Sequence, residues 1–193
     1  MIPFKSLAIL PWRMAFPHKM KIHISNQQQI DSYKYAVKIV EIGKAYKRFG
    51  ETKEQQIERW YLGKLGEIVF FNLLAKNDIH VDYSELFKFE ADEYDFIMPN
   101  QDLKIDVKTC KPFDRYLLVP EEQTNNKAEI DIYVAAIVDE KNSIGFIDGY
   151  IWKNNLIKNS DPAVSKNMPE GRCYNSKLCD LKNINKLFAY WYF

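Results

Sequence analysis

The spacing of apolar positions changes several times along the chain, and each change predicts an element. Ser25 with Gln28 three residues on makes a capping box. Ile30, Tyr33, Val37 and Val40 then recur at helical spacing, predicting a helix that Gly50 stops. Thr52 with Gln55 makes a second box, opening a helix to about Lys76 through Ile57, Trp60, Leu65, Ile68, Val69 and Leu73. Gly63 and Gly66 weaken that helix intrinsically, so both are expected where its backbone approaches a sheet. Ile79–Tyr83 and Leu86–Phe89 read as short strands around a turn. Tyr94–Met98 and Leu103–Thr109 read as two strands joined by the polar turn Pro99–Asp102. Tyr116–Val119 is a further strand, ended by Pro120, and Glu121–Asn126 a polar loop or short helix. The apolar run Ile130–Val138 predicts a central strand covered on both faces, paired with Ser143–Ile151 through the turn Asp139–Asn142.

The two ends are less regular. Met1–Ile24 reads as irregular or extended, its aromatics expected to pack against the domain, with an edge strand, a nucleic-acid contact or a dimer contact as further uses. Asn154–Asn185 reads as a long loop. Leu187–Phe193 is so aromatic that burial is expected, in a last strand or at a homodimer seam. The pattern is that of an α/β protein, a mixed central sheet flanked by helices. A single domain is expected over 1–193, with its core at about 25–151, an extension at 1–24, and the loop and aromatic segment at 152–193.

Composition narrows the class. Hydrophobic residues make up 47% of the chain and aromatics 15%, ample for a buried core. No run of about 18 apolar residues occurs, so no membrane span is expected. Pro3 and Pro11 interrupt the apolar start and no small-residue cleavage site follows, so no signal peptide is expected either. Three cysteines without close metal-ligand spacing fit reduced thiols and a cytoplasmic setting, and with three scattered histidines they argue against a zinc site. The Lys- and Asn-rich composition fits a microbial or phage source. The net charge of +1 hides a basic first fifty residues (+7), an acidic middle over 51–150 (−10) and a basic remainder (+4). Basic flanks around an acidic centre suit phosphate contacts beside a cation site, and solubility alone also accounts for them.

The candidate chemistry lies in the acidic middle. Asp or Glu, any residue, Lys occurs five times, beginning at Glu51, Asp102, Asp106, Asp139 and Asp180. Asp106 stands mid-strand, with Asp95 on a neighbouring strand. A period of 2 puts Asp106 and Lys108 on one face, and hairpin pairing brings Asp95 near them. Two carboxylates at one point repel unless a cation lies between them. Oxygen donors suit a hard ion such as Mg²⁺, and a lysine beside it suits work on a phosphodiester. The bland reading is an exposed strand face of alternating charges.

Asp95, Asp106-Val107-Lys108 and the upstream Gly63-Lys64-Leu65-Gly66-Glu67 together resemble the PD-(D/E)XK nuclease superfamily, with its restriction-endonuclease-like fold. The resemblance covers roughly Thr52 to Tyr150; Tyr94 stands where the family name has Pro. It implies a Mg²⁺-dependent deoxyribonuclease, with Mn²⁺ able to substitute and RNA not excluded as substrate. It implies that Asp95, Asp106 and the Val107 carbonyl bind the ion, that Glu67 holds a second ion or a water, and that Lys108 positions the nucleophile. Gln123 is a looser match to a Gln some members carry after the Lys-bearing strand, and Lys111 lies within reach of a phosphate near the site. Two rivals stay open: a nucleic-acid-binding or regulatory protein with an idle site, and a structural protein for which these charges are a solvated face. For Glu67 the structural alternative is an ion pair with Lys64 or Lys108.

Overall fold

A computed structural model of the chain describes residues 20–45, 48, 50–88, 94–98, 101–126, 129–161, 164 and 172–190. Expectations for 1–19, 89–93, 99–100, 162–163, 165–171 and 191–193 lie outside them.

Both capping boxes form. Ser25 Oγ accepts from the Gln28 backbone N–H at 3.2 Å while Gln28 Oε1 accepts from the Ser25 N–H at 2.9 Å, and helix α1 spans Asn26–Glu41. Thr52 and Gln55 do the same for helix α2, Lys53–Lys76. α1 ends well before Gly50, at a cap followed by Gly43 in the left-handed region (φ 70°). Its buried face is also not the expected one. Ser32, Tyr35, Ala36 and Ile39 face inward, whereas Ile30 and Tyr33 are 48% and 53% exposed. The small Ser32 and Ala36 are fully buried, and the Ser32 hydroxyl is satisfied by donating to the Gln28 carbonyl.

Five strands form the main sheet, in the order β1 (Ile22–His23), β6 (Ile144–Trp152), β5 (Ile132–Asp139), β3 (Leu103–Cys110), β2 (Phe96–Met98). β3 and β5 run parallel and the other pairs antiparallel, so the sheet is mixed. β1 is an edge strand, one of the uses expected of the N-terminal segment, and it takes only Ile22–His23 of it. β5 is buried along nearly its whole length, as its unbroken apolar run requires. α2 packs on one face, over Ile105, Val107, Val134 and Ala136. The other face, carrying Cys110, Tyr133, Ala135 and Ile137, is covered by a second, two-stranded sheet of β4 (Tyr116–Pro120) and β7 (Cys173–Lys177). Helix α3 (Glu121–Asn126) follows β4 directly, and α4 (Lys153–Asn159) follows β6.

Three expectations are corrected. The segment read as two short strands around Ser84 is instead a 3-10 helix, Tyr83–Phe87, among the described residues. Asp82 Oδ1 accepts from both the N–H and the hydroxyl of Ser84, each at 2.8 Å, and this local turn chemistry wins over β propensity. Asn154–Asn185 is not a plain loop: it holds most of α4, then β7 and a 3-10 turn, Leu178–Asp180. The last described segment is not a strand but a short helix, α5 (Asn185–Ala189), whose Leu187 and Phe188 are buried in the main core.

Candidate active site

The site is built where β2 stops pairing with β3. The ladder runs from Met98↔Leu103 to Phe96↔Ile105 and ends with the Asp95 N–H donating to the Ile105 carbonyl at 2.9 Å. Among the described residues the ladder goes no further, and Asp95 Oδ2 accepts from the Val107 N–H at 2.7 Å. One carboxylate therefore both terminates the hairpin and stands at its open fork.

Alternation on β3 sends Ile105, Val107 and Thr109 towards α2 and Asp106, Lys108 and Cys110 to the opposite face. Asp106 is only 1% exposed. Its Oδ2 lies 2.5 Å from Lys108 Nζ, which also donates to Gln123 Oε1 on α3 at 3.2 Å. Gln123, loosely placed by sequence, is thus brought to the site. Lys111 is exposed beyond the end of β3, its N–H donating to Asp114 Oδ2.

Glu67 comes from α2, and Gly66 positions it. A Cβ on Gly66 would lie 2.0 Å from Thr109 Oγ1, so only glycine lets the helix come this close to β3. Gly63 has open space where a side chain would go; its carbonyl accepts from Thr109 Oγ1 at 3.2 Å. Glu67 pairs with Lys64, Nζ to Oε2 at 2.5 Å. Lys64 is itself buried. It donates to the Leu86 carbonyl of the 3-10 helix at 2.6 Å, and its ammonium lies 4.4 Å from the Tyr35 ring centre. In the sequence Lys64 stands out only as a partner for Glu67. Its place in a Gly-Lys-Leu-Gly-Glu stretch was the one signal that it belongs with the site.

The groups act on one another electrically. Burial is the largest influence on Glu67 and pushes its carboxyl up to about 8; Lys64 opposes this, while the charges of Asp95 and Asp106 reinforce it. For Lys108 burial alone would lower the pKa, but Asp106 and Asp95, with a contribution from Glu67, outweigh it and the net shift is upward. Lys64 behaves likewise, raised by Glu67, Tyr35 and Asp95 against burial. Lys108 is therefore an ammonium, suited to orienting a water or stabilising anionic charge and unsuited to taking a proton. The cluster holds three carboxyl groups against two ammoniums. Among the described residues, no group of three or more His, Cys, Asp and Glu side chains is placed to hold a metal ion by itself. Mg²⁺ needs only one or two protein carboxylates, its remaining positions going to water and phosphate oxygens. Two aspartates at the fork meet that need in number and hardness.

Cysteine chemistry is not part of the site. The three cysteines are free thiols, and burial pushes Cys110 up to about 12. Among the described residues no helix is long and apolar enough to cross a membrane. Comparison of the chain with protein-family models, with curated proteins and with solved structures gave no match.

Proposed function

We propose that this chain is a metal-dependent nuclease of the PD-(D/E)XK type, acting on DNA, with its α/β core a restriction-endonuclease-like domain. One observation carries the reading: Asp95 at the end of β2 accepts from the Val107 N–H at 2.7 Å, between Asp106 and Lys108 of β3, and the buried Asp106 lies 2.5 Å from Lys108 Nζ. A solvated strand face does not account for an aspartate 1% exposed. Asp95, Asp106 and the Val107 carbonyl would hold Mg²⁺, or Mn²⁺ in its place. When bound, such an ion polarises the phosphate and lowers the pKa of bound water. Lys108, kept protonated by the aspartates and steadied by Gln123, orients the attacking water and stabilises charge on the phosphate. Glu67, anchored by Lys64, would hold a second ion or a water on the α2 side.

A second reading has its own support. Asp95 Oδ2 already serves the Val107 N–H, and Asp106 already pairs with Lys108, as in a nucleic-acid-binding or regulatory protein with an idle site. One experiment separates them. The purified chain is incubated with duplex DNA, single-stranded DNA, a four-way junction and RNA, with Mg²⁺ or Mn²⁺, then with a chelator. We expect cleavage of DNA that the chelator stops, and a loss of about 10²-fold or more in Lys108→Ala with an unchanged circular dichroism spectrum. Mn²⁺ binding abolished by Asp106→Ala accompanies that result. No cleavage of any substrate, with the metal titration flat, would sink the nuclease reading.

A further inference from the structure

Phe113 is 87% exposed, the most exposed large hydrophobic side chain among the described residues. It does not sit on a loose loop. The turn that carries it is closed by Asp114, whose Oδ2 accepts from the Lys111 N–H at 2.6 Å and whose own N–H donates to the Lys111 carbonyl at 3.0 Å. Its far side is fixed where the Leu178 N–H donates to the Arg115 carbonyl at 3.0 Å. The turn thus holds an aromatic ring out in water, at a cost in apolar hydration that the fold does nothing to relieve.

Its neighbours say what would cover it. Lys111 and Arg115 flank it and are both exposed, while the one acid of the turn, Asp114, is engaged with main-chain N–H. An aromatic face between two cations suits a polyanion that carries stackable rings, which is a nucleic-acid strand with unstacked bases. The position agrees. The turn opens directly off the end of β3, and Phe113 is five residues past Lys108, so their α-carbons lie within about 18 Å even for a fully extended chain. α3, reached through β4, returns to Lys108 through Gln123, so the turn and the site belong to one excursion of the chain.

We propose that Phe113 is a base-stacking platform for a single-stranded or locally unpaired stretch of substrate, with Lys111 and Arg115 contacting the adjoining phosphates. This rests on the nucleic-acid reading above and adds to it a preference for unpaired bases near the cut.

The test uses the full chain carrying Asp106→Asn, so that binding is read without cleavage. A single-stranded oligonucleotide with 2-aminopurine at successive positions reports stacking, and fluorescence anisotropy gives Kd. Phe113→Ala should weaken single-strand binding about tenfold and abolish the 2-aminopurine quench at one or two positions, while leaving fully paired duplex binding within about twofold. Phe113→Trp should keep the affinity, with its own emission quenched by the strand. Equal single-strand affinity in Phe113→Ala overturns the proposal, as does a chain that binds no oligonucleotide. Phe113-dependent stacking on a strand that the unsubstituted chain never cuts leaves this inference standing and removes only the nuclease. Cleavage by the unsubstituted chain with no Phe113 dependence of binding does the reverse. A chain that instead self-associates through Phe113, its sedimentation changed by Phe113→Ala and its strand affinity not, also overturns it.

Discussion

Glu67 shows how much a single side chain here depends on its surroundings. An ordinary glutamate is ionised well below neutral pH, whereas burial and the neighbouring aspartates push this one up to about 8. Between its unfolded value of 4.5 and about 8, the folded chain keeps a proton that the unfolded chain gives up. The group's contribution to stability therefore falls as pH rises through that window and is level on either side of it. Glu67→Gln removes this contribution. We expect its melting temperature to decline less than that of the unsubstituted chain between pH 5 and pH 8 in metal-free buffer; parallel declines would contradict the shift. Asp95 has two duties that substitution at that position cannot separate, because its carboxylate also completes the hairpin through the Val107 N–H. Asp106 and Lys108 stood out in the sequence because alternation along a strand is regular. The pairing of Lys64 with the Leu86 carbonyl and under Tyr35 did not, because it joins residues from three separate elements.

Among the elements, α2 is the one whose placement decides the site. Its two interior glycines look equivalent in the sequence but not in the packing. Gly66→Ala places a methyl group against Thr109 Oγ1 at 2.0 Å and Cβ at 3.1 Å, forcing helix and sheet apart. This should cost roughly 1–3 kcal/mol in urea denaturation and displace Glu67 from the fork. Gly63→Ala meets nothing within 4 Å and should stabilise the helix by up to about 1 kcal/mol. Equal effects at the two positions would mean that the helix does not approach β3 as described. The boundaries of α2 were legible because its start and end are set by neighbours in sequence, the Thr52–Gln55 box above all. The inward face of α1 was not, since apolar residues lie on more than one side and contact with α2 chose among them.

At the scale of the whole molecule, the segment after Trp152 closes both layers. β7 pairs with β4 along five residues and covers the second face of the main sheet. Gly149 lets Lys182 come close: a Cβ there would lie 2.6 Å from the Lys182 carbonyl oxygen, which accepts from the Tyr150 N–H. Leu187 then enters the main core fully buried. Leu187→Ala should cost about 2–5 kcal/mol in urea denaturation, as for a core leucine. A change below about 0.5 kcal/mol, the usual range of surface positions, would show that α5 is not part of the core.

What the sequence determined by itself is local: two capping boxes, the buried run of β5, the hairpin of β2 and β3, and the alternation that puts Asp106 beside Lys108. Each follows from interactions a few residues long, whose periods can be read directly. Tertiary structure alone decided which face α1 buries, where β7 and α5 pack, that Gln123 meets Lys108, and that Lys64 joins Glu67 to the Leu86 carbonyl. Those are contacts between distant residues, and they form because the helices and the second sheet must cover an apolar mixed sheet on both faces.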